Sequence, residues 1–279
     1  MTATLTHETT DGRVPGVPPK DLPHRVGPVT ALRHGLTVAW RSILKIRRDP
    51  EQLIDLTVQP IMFTLLFTYV FGGAIAGGTT EYLQYALPGL IIQNAMFASM
   101  GTGIALNSDI KTGIFDRFRS LPIARSAPLV GQIFGDLARY LFSIGIMLGF
   151  GAVLGFRIHT GAVQTLAAVG LILAMVLAIC WISVLIGLLV KEPQSVMVFG
   201  FVFVLPLTFA SSAFVPTATM PGWLQAWVKV NPVTLLSDAV RGLLVSGHTV
   251  TTPALQVLAW SAGITLVAAP LAIRAYRRS

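Results

Sequence analysis

Six stretches of predominantly apolar residues punctuate the chain, at roughly 53–75, 83–106, 129–156, 162–190, 195–214 and 254–273. Each reaches or approaches the ~20 residues that a helix needs to cross a bilayer core. An even number of crossings puts both termini on one side. Ahead of the first stretch the pattern differs: Val29, Leu32, Leu36, Trp40, Ile43 and Leu44 keep helical spacing, and Arg33, Thr37, Arg41, Lys45 and Arg48 run down a neighbouring face. That arrangement predicts a basic amphipathic helix over 29–48, lying in the membrane interface. Asp49, Pro50 and Gln52 supply a cap, an N1 proline and a capping partner that turn the chain into the first span. Residues 1–27 are polar, proline-bearing and without period, so a disordered tail is expected there. They contain no apolar core of signal-peptide type, and the N-terminus is expected to be neither cleaved nor translocated.

Two further segments break the span pattern. Between the second and third spans, Ile110, Ile114, Phe115, Phe118 and Leu121 share one face, with Lys111, Asp116, Arg117 and Arg119 elsewhere and Asn107 or Ser108 as cap, until Pro122 stops the run. A short helix of this kind projecting from two long ones has the form of a docking element that enters a groove on another protein. The alternative is a second interface helix resting on lipid; Gly113 and the mixed charge Asp116/Arg117 suit a protein contact better. After the fifth span, Pro216, Pro221 and Pro232 divide the chain into two short helical pieces, about 220–230 and 232–245. Trp223 and Trp227 form an interfacial pair on the first, and Leu235, Leu236, Ala239, Leu243 and Leu244 make one face of the second apolar. They read as half-helices dipping into the outer leaflet. Backbone that ends at membrane depth must be covered by protein or line a cavity, so this region is expected to roof a pathway.

Composition agrees with the spans. Of 279 residues 53% are hydrophobic and 11% charged, with a mean hydropathy of +0.71, against about a quarter charged in an ordinary soluble chain. A soluble enzyme is thereby excluded. The lone Cys180 leaves no disulfide framework and no cysteine-rich metal site. The net charge of +8 is distributed by side: 16 of the 20 Lys and Arg fall in the first 52 residues, the 107–127 loop, the turn at 191–194 and the C-terminus. Only Arg157, Lys229 and Arg241 fall on the other side. By the positive-inside rule both termini and the 107–127 loop are expected in the cytoplasm, facing anionic headgroups and a cytosolic partner rather than nucleic acid.

Within the spans, Asp136 and Arg139 stand three residues apart on one helix face and are expected to pair, which lowers the cost of holding both charges at depth. Gln93 and Asn94 in the second span can bond across helices. Phe63, Phe67 and Phe71 in the first span, and Met96 and Met100 in the second, recur every four residues. Such soft surfaces either pack or line a route for a hydrophobic cargo. Phe63, Phe67, Gln93, Asn94, Met96 and Met100 are therefore the candidate lining residues.

Tyr85-Ala86-Leu87-Pro88-Gly89, the loop segment Lys111 to Arg125, and Asn231-Pro232-Val233 are three segments that together resemble the ABC exporter permeases of the type 2 class, in particular the daunorubicin-resistance-type permeases of actinobacteria. The likeness extends over about residues 28–278. It implies an all-α polytopic fold with a single permease domain over 28–279, in which the 29–48 helix is a connecting helix. The 108–121 helix would be a coupling helix, carrying Ile110, Ile114, Phe115, Asp116, Arg117, Phe118 and Arg119 to the ATPase. It implies as partners a separate nucleotide-binding ATPase, which would hold Mg-ATP, and a second copy or sister permease, with a hydrophobic drug-like, natural-product or lipid-like cargo exported from the cell. The residues agree on what is missing: no Gly-x-x-x-x-Gly-Lys-Ser/Thr loop is present to cradle ATP, no Gly-x-Ser-x-Gly elbow and no His-Glu-x-x-His pair. No catalytic, cofactor or metal residue is therefore expected in this chain. A proton-coupled secondary transporter or a substrate-gated channel subunit would share the spans and the charge bias. The first would show inverted repeats, which are not visible, and the second would need no docking helix.

Overall fold

The computed structural model describes residues 50–112, 127–246 and 250–278, all helix, turn or short connection with no strand among them. The apolar runs form the helices expected of them, because in lipid each backbone N–H and C=O must find its partner within the segment. α1 (Pro50–Leu66) starts at its proline, passes through a π-helical turn at Phe67–Phe71 and continues as α2 (Gly72–Ala76). Gly77, at φ 71°, then reverses the chain. α3 (Thr79–Lys111) is the axis of the bundle, and α4 (Ala127–Leu154), α5 (Ala162–Leu189) and α6 (Pro193–Phe209) follow. α7 (Gly222–Val230) and α8 (Pro232–Arg241) are the two short pieces, and α9 (Thr251–Arg278) closes the chain.

Among the described residues, five segments are long and apolar enough to cross a membrane: Leu56–Ile75, Thr79–Lys111, Gly135–Leu154, Ala162–Leu189 and Thr251–Tyr276. The expected span at 195–214 differs. Its helix is the 17-residue α6, and from Ala210 the backbone leaves helical geometry and continues as a non-helical stretch past Gly89 to Tyr82, near the start of α3. Pro206 weakens the end of the helix by removing one N–H from the ladder. The half-helices appear close to where the prolines placed them. The interface helix over 29–48, with Arg33, Trp40, Arg41, Lys45 and Arg48, lies outside the described residues, as do the tail at 1–27 and Ile114, Phe115, Asp116, Arg117, Phe118 and Arg119 of the expected docking helix.

Packing is centred on α3, which contacts α1, α4, α5, α6 and α8, while α9 lies along α5. Small residues permit the closest approach: a Cβ on Gly103 of α3 would overlap the Ser183 carbonyl of α5. Such contacts bring helix backbones together where apolar burial alone gives little drive in lipid. Asn107 then donates from Nδ2 to the carbonyls of Gly187 and Val190, both at 2.8 Å, tying off the end of α5. This corrects the expectation that Asn107 or Ser108 begins a separate docking helix, since α3 runs unbroken through both to Lys111.

Candidate functional site

Two regions combine polar side chains with irregular backbone or open space. The first is the end of the bundle where α6 unwinds. The carbonyls left there lie in a partly to fully buried stretch, where each needs a donor. Asn231, 1% exposed, supplies two: its Nδ2 donates to the carbonyls of Leu207 at 2.8 Å and Ala210 at 2.7 Å. Its Oδ1 meanwhile accepts from the N–H of Val233 and caps α8. Asparagine is the residue that can do this, because aspartate lacks the two donors and serine has only one. Tyr85 donates to the Ser212 carbonyl at 2.8 Å and Tyr82 to that of Phe214 at 3.2 Å. Arg241 binds across the seam, through Nε to the Tyr85 carbonyl, Nη2 to the Ser212 carbonyl and Nη1 to Asp238, with its guanidinium carbon 3.8 Å from the centre of the Tyr85 ring. Ser212 also donates to Asp238 at 2.8 Å. Gly89 completes the contact, since any Cβ there would overlap the carbonyl of Ala213. Tyr85-Ala86-Leu87-Pro88-Gly89 and Asn231-Pro232-Val233, far apart in sequence, therefore close on the same stretch of backbone. Thr160 and the backbone N–H of His159 satisfy the carbonyls of Leu243 and Leu244 in the π turn beyond α8, which completes a roof over this end.

The second region is a cleft of about 650 Å³ between α1, α3, α4 and α6. Of the candidate lining residues, Phe63, Gln93, Asn94 and Met100 stand at this cleft, joined by Phe97, Gly101, Arg139, Phe201 and Phe209. Phe67 and Met96 do not. Phe67 opens the π turn and stacks on Phe214 of the refolded segment, centroids 4.9 Å apart, so it is buried in the core. Met96 is fully buried as well: it stands one residue before Phe97, and one residue rotates the helix by about 100°, enough to leave the lining stripe. A spacing of four marks a face only loosely.

Asp136 and Arg139 pair at 3.0 Å. Thr102 of α3 donates to the other oxygen of Asp136 at 2.7 Å, lies 3.0 Å from the Tyr140 hydroxyl, and that hydroxyl lies 3.2 Å from the Cys180 sulfur. A buried polar chain thus links α3, α4 and α5 and ends at the cleft in Arg139. The Nε of Arg139 is buried without an acceptor among the described residues. Asn94 is held from the other direction by its bond to Ser143 at 2.8 Å. Of the expected coupling residues, Ile110 is described: it lies on the last turn of α3, half-buried against the core.

The residues that sequence reasoning passed over are Tyr82, Tyr85, Asn231 and Arg241 as donors to open carbonyls, and Thr102 as the partner of Asp136. Arg241 carried a usable signal, being one of three basic residues at an end that is otherwise poor in them. Among the described residues no three His, Cys, Asp or Glu side chains stand close enough to share a metal ion.

Residues 34–245 match the family described as ABC-2 type transporter. The chain is 39% identical over 248 residues to the daunorubicin resistance ABC transporter permease protein DrrB1 of Streptomyces coeruleorubidus, covering 89% of this chain and 87% of that protein. It is 32% identical over 242 residues to the probable doxorubicin resistance ABC transporter permease protein DrrC of Mycobacterium tuberculosis, 86% of each. It is also 28% identical over 207 residues to the putative transport permease ycf38 of Cyanophora paradoxa, 73% of this chain and 71% of that one.

Proposed function

The chain belongs to the ABC-2 type transporter family and is the multi-pass transmembrane subunit of an ABC exporter, and from that premise we propose that it moves a hydrophobic drug-like, natural-product or lipid-like molecule out of a bacterial cell with energy from a separate ATPase. The observation that carries the reading is the match over nearly the whole chain to permeases named for resistance to daunorubicin and doxorubicin. The ATPase holds Mg-ATP, since this sequence has no phosphate loop of its own. One such chain is half of a pathway, and a two-fold pair with a second copy or a sister permease completes it.

Both termini and the 107–127 loop face the cytoplasm in this reading, supported by the bias of Lys and Arg to that side. The segment from Ile110 to Arg119 docks on the ATPase, and because α3 is one continuous helix, movement of its last turn is carried into the centre of the bundle. Ile114, Phe115 and Phe118 form the apolar anchor, and truncation of an anchor residue costs more than about 1 kcal/mol of binding.

Co-purification with the ATPase tests this. Phe115→Ala with Phe118→Ala should weaken association at least tenfold and abolish cargo-stimulated hydrolysis while membrane insertion persists. Cysteine crosslinks from the ATPase should reach Thr112 and never Gly78. Wild-type association and export by the double variant, or ATP hydrolysis by the permease alone, would overturn the reading.

A further inference from the structure

The inference that follows rests on the exporter reading and concerns which molecule the permease accepts and where. We propose that the cleft between α1, α3, α4 and α6 binds a small amphiphile with a planar apolar body and, at one end, an oxygen acceptor such as a carboxylate, phenolate or carbonyl, which Arg139 recognises.

Three observations converge on this. The cleft holds about 650 Å³, inside the ~300–1,000 Å³ of small-molecule sites. Its walls carry aromatic rings that can receive a flat body: Phe97 and Phe201 stand with centroids 5.3 Å apart, and Phe63 and Phe209 are partly exposed. Its chemistry is uneven, because Arg139 is the one charged side chain among the described lining residues.

The guanidinium is also under-satisfied. Nη1 bonds to Asp136 and the buried Nε has no acceptor among the described residues. A desolvated donor without a partner raises the energy of the empty cleft, and an arriving acceptor oxygen lets the group rotate into a better-bonded arrangement. A primary amine gains nothing comparable, since Asp136 is not among the lining residues and its charge is already paired with Arg139. Asp136 and Thr102 are thus positioning residues that hold Arg139 at the wall. Asn94, fixed by Ser143, and Gln93 offer neutral hydrogen bonds farther along. The selectivity is for an acceptor over a cation at the Arg139 end, on a body that the rings accept without regard to its detail.

Pyrenebutyrate, pyrenebutanol and pyrenebutylamine share one ring system and differ only in the head. Titrated into the purified permease in nanodiscs, with empty nanodiscs subtracted, they should bind in that order, the first about tenfold tighter than the last. Arg139→Gln combined with Asp136→Asn keeps the pair hydrogen-bonded and neutral. It should level the ranking, with the three probes falling within about twofold of one another. Gly101→Phe, at a wall position where an added Cβ meets nothing, should weaken all three about tenfold or more. Equal binding of the three probes to the wild type, or binding untouched by Gly101→Phe, places the probes in lipid and overturns the proposal. Loss of the permease dimer on Gly101→Phe shows that a second copy fills the cleft, and overturns it equally. These titrations need no ATPase, so the site can fail while ATP-driven export with the partner stands, and the reverse.

Discussion

At the roofed end, Asn231, Arg241, Tyr82 and Tyr85 satisfy the carbonyls that the unwinding of α6 leaves open. At the cleft, the buried Nε of Arg139 has no acceptor among the described residues, and the rings of Phe63 and Phe201 stay partly exposed. Both regions mix polar groups with apolar helices, and both interrupt the regular bundle. The difference is in what remains for another molecule. The carbonyls of the roof have donors, with the buried Ser237 hydroxyl left without a partner among the described residues, and this bonding fixes one geometry; the cleft adds to an unpaired donor a cavity and apolar surface, which is what a site that must take something up requires.

Substitutions can break or sharpen that contrast. The largest effect is expected from Gly89→Val, because the added carbon meets backbone rather than a movable side chain. The roof must lift off α3, and the cost should reach about 3 kcal/mol, read as loss of the folded fraction in detergent unfolding. Asn231→Ala follows. It strips donors from two carbonyls and the acceptor from Val233 in a nearly fully buried place, and should lower stability by about 2 kcal/mol; Asn231→Asp should be no better, since it restores the acceptor and not the donors. The smallest effect on folding belongs to Phe63→Ala, which removes an exposed ring from the cleft and should change stability by less than about 0.5 kcal/mol while changing uptake of hydrophobic probes. If Asn231→Ala proves as mild as Phe63→Ala in unfolding, the distinction between scaffold and uptake surface fails.

Much of this was legible in sequence, for identifiable reasons. The long helices follow from apolar run length, and the half-helices from Pro221 and Pro232, because lipid leaves the backbone few other options. The Asp136–Arg139 pair follows from helical spacing alone. The lining residues were legible only in part: Phe63 and Met100 reach the cleft, but a four-residue spacing drifts around the helix, and Phe67 and Met96 fall inside the core. The roof was not legible, since its bonds go to main-chain carbonyls that exist as free acceptors only once α6 has unwound, and no side-chain pattern announces that. The short length of α6 was hidden for the same reason, its apolar residues continuing past the point where the helix stops.

That short helix has a consequence for the permeability barrier. Seventeen residues at ~1.5 Å each give about 26 Å, less than the ~30 Å of a bilayer's hydrocarbon. Met197, Phe201, Leu205 and Phe209 of the cleft all lie on this helix. In the exporter reading, a molecule moving along that wall leaves the helical part of it before the far side of the bilayer, at backbone whose Leu207, Ala210, Ser212 and Phe214 carbonyls are already bonded and cannot hold it.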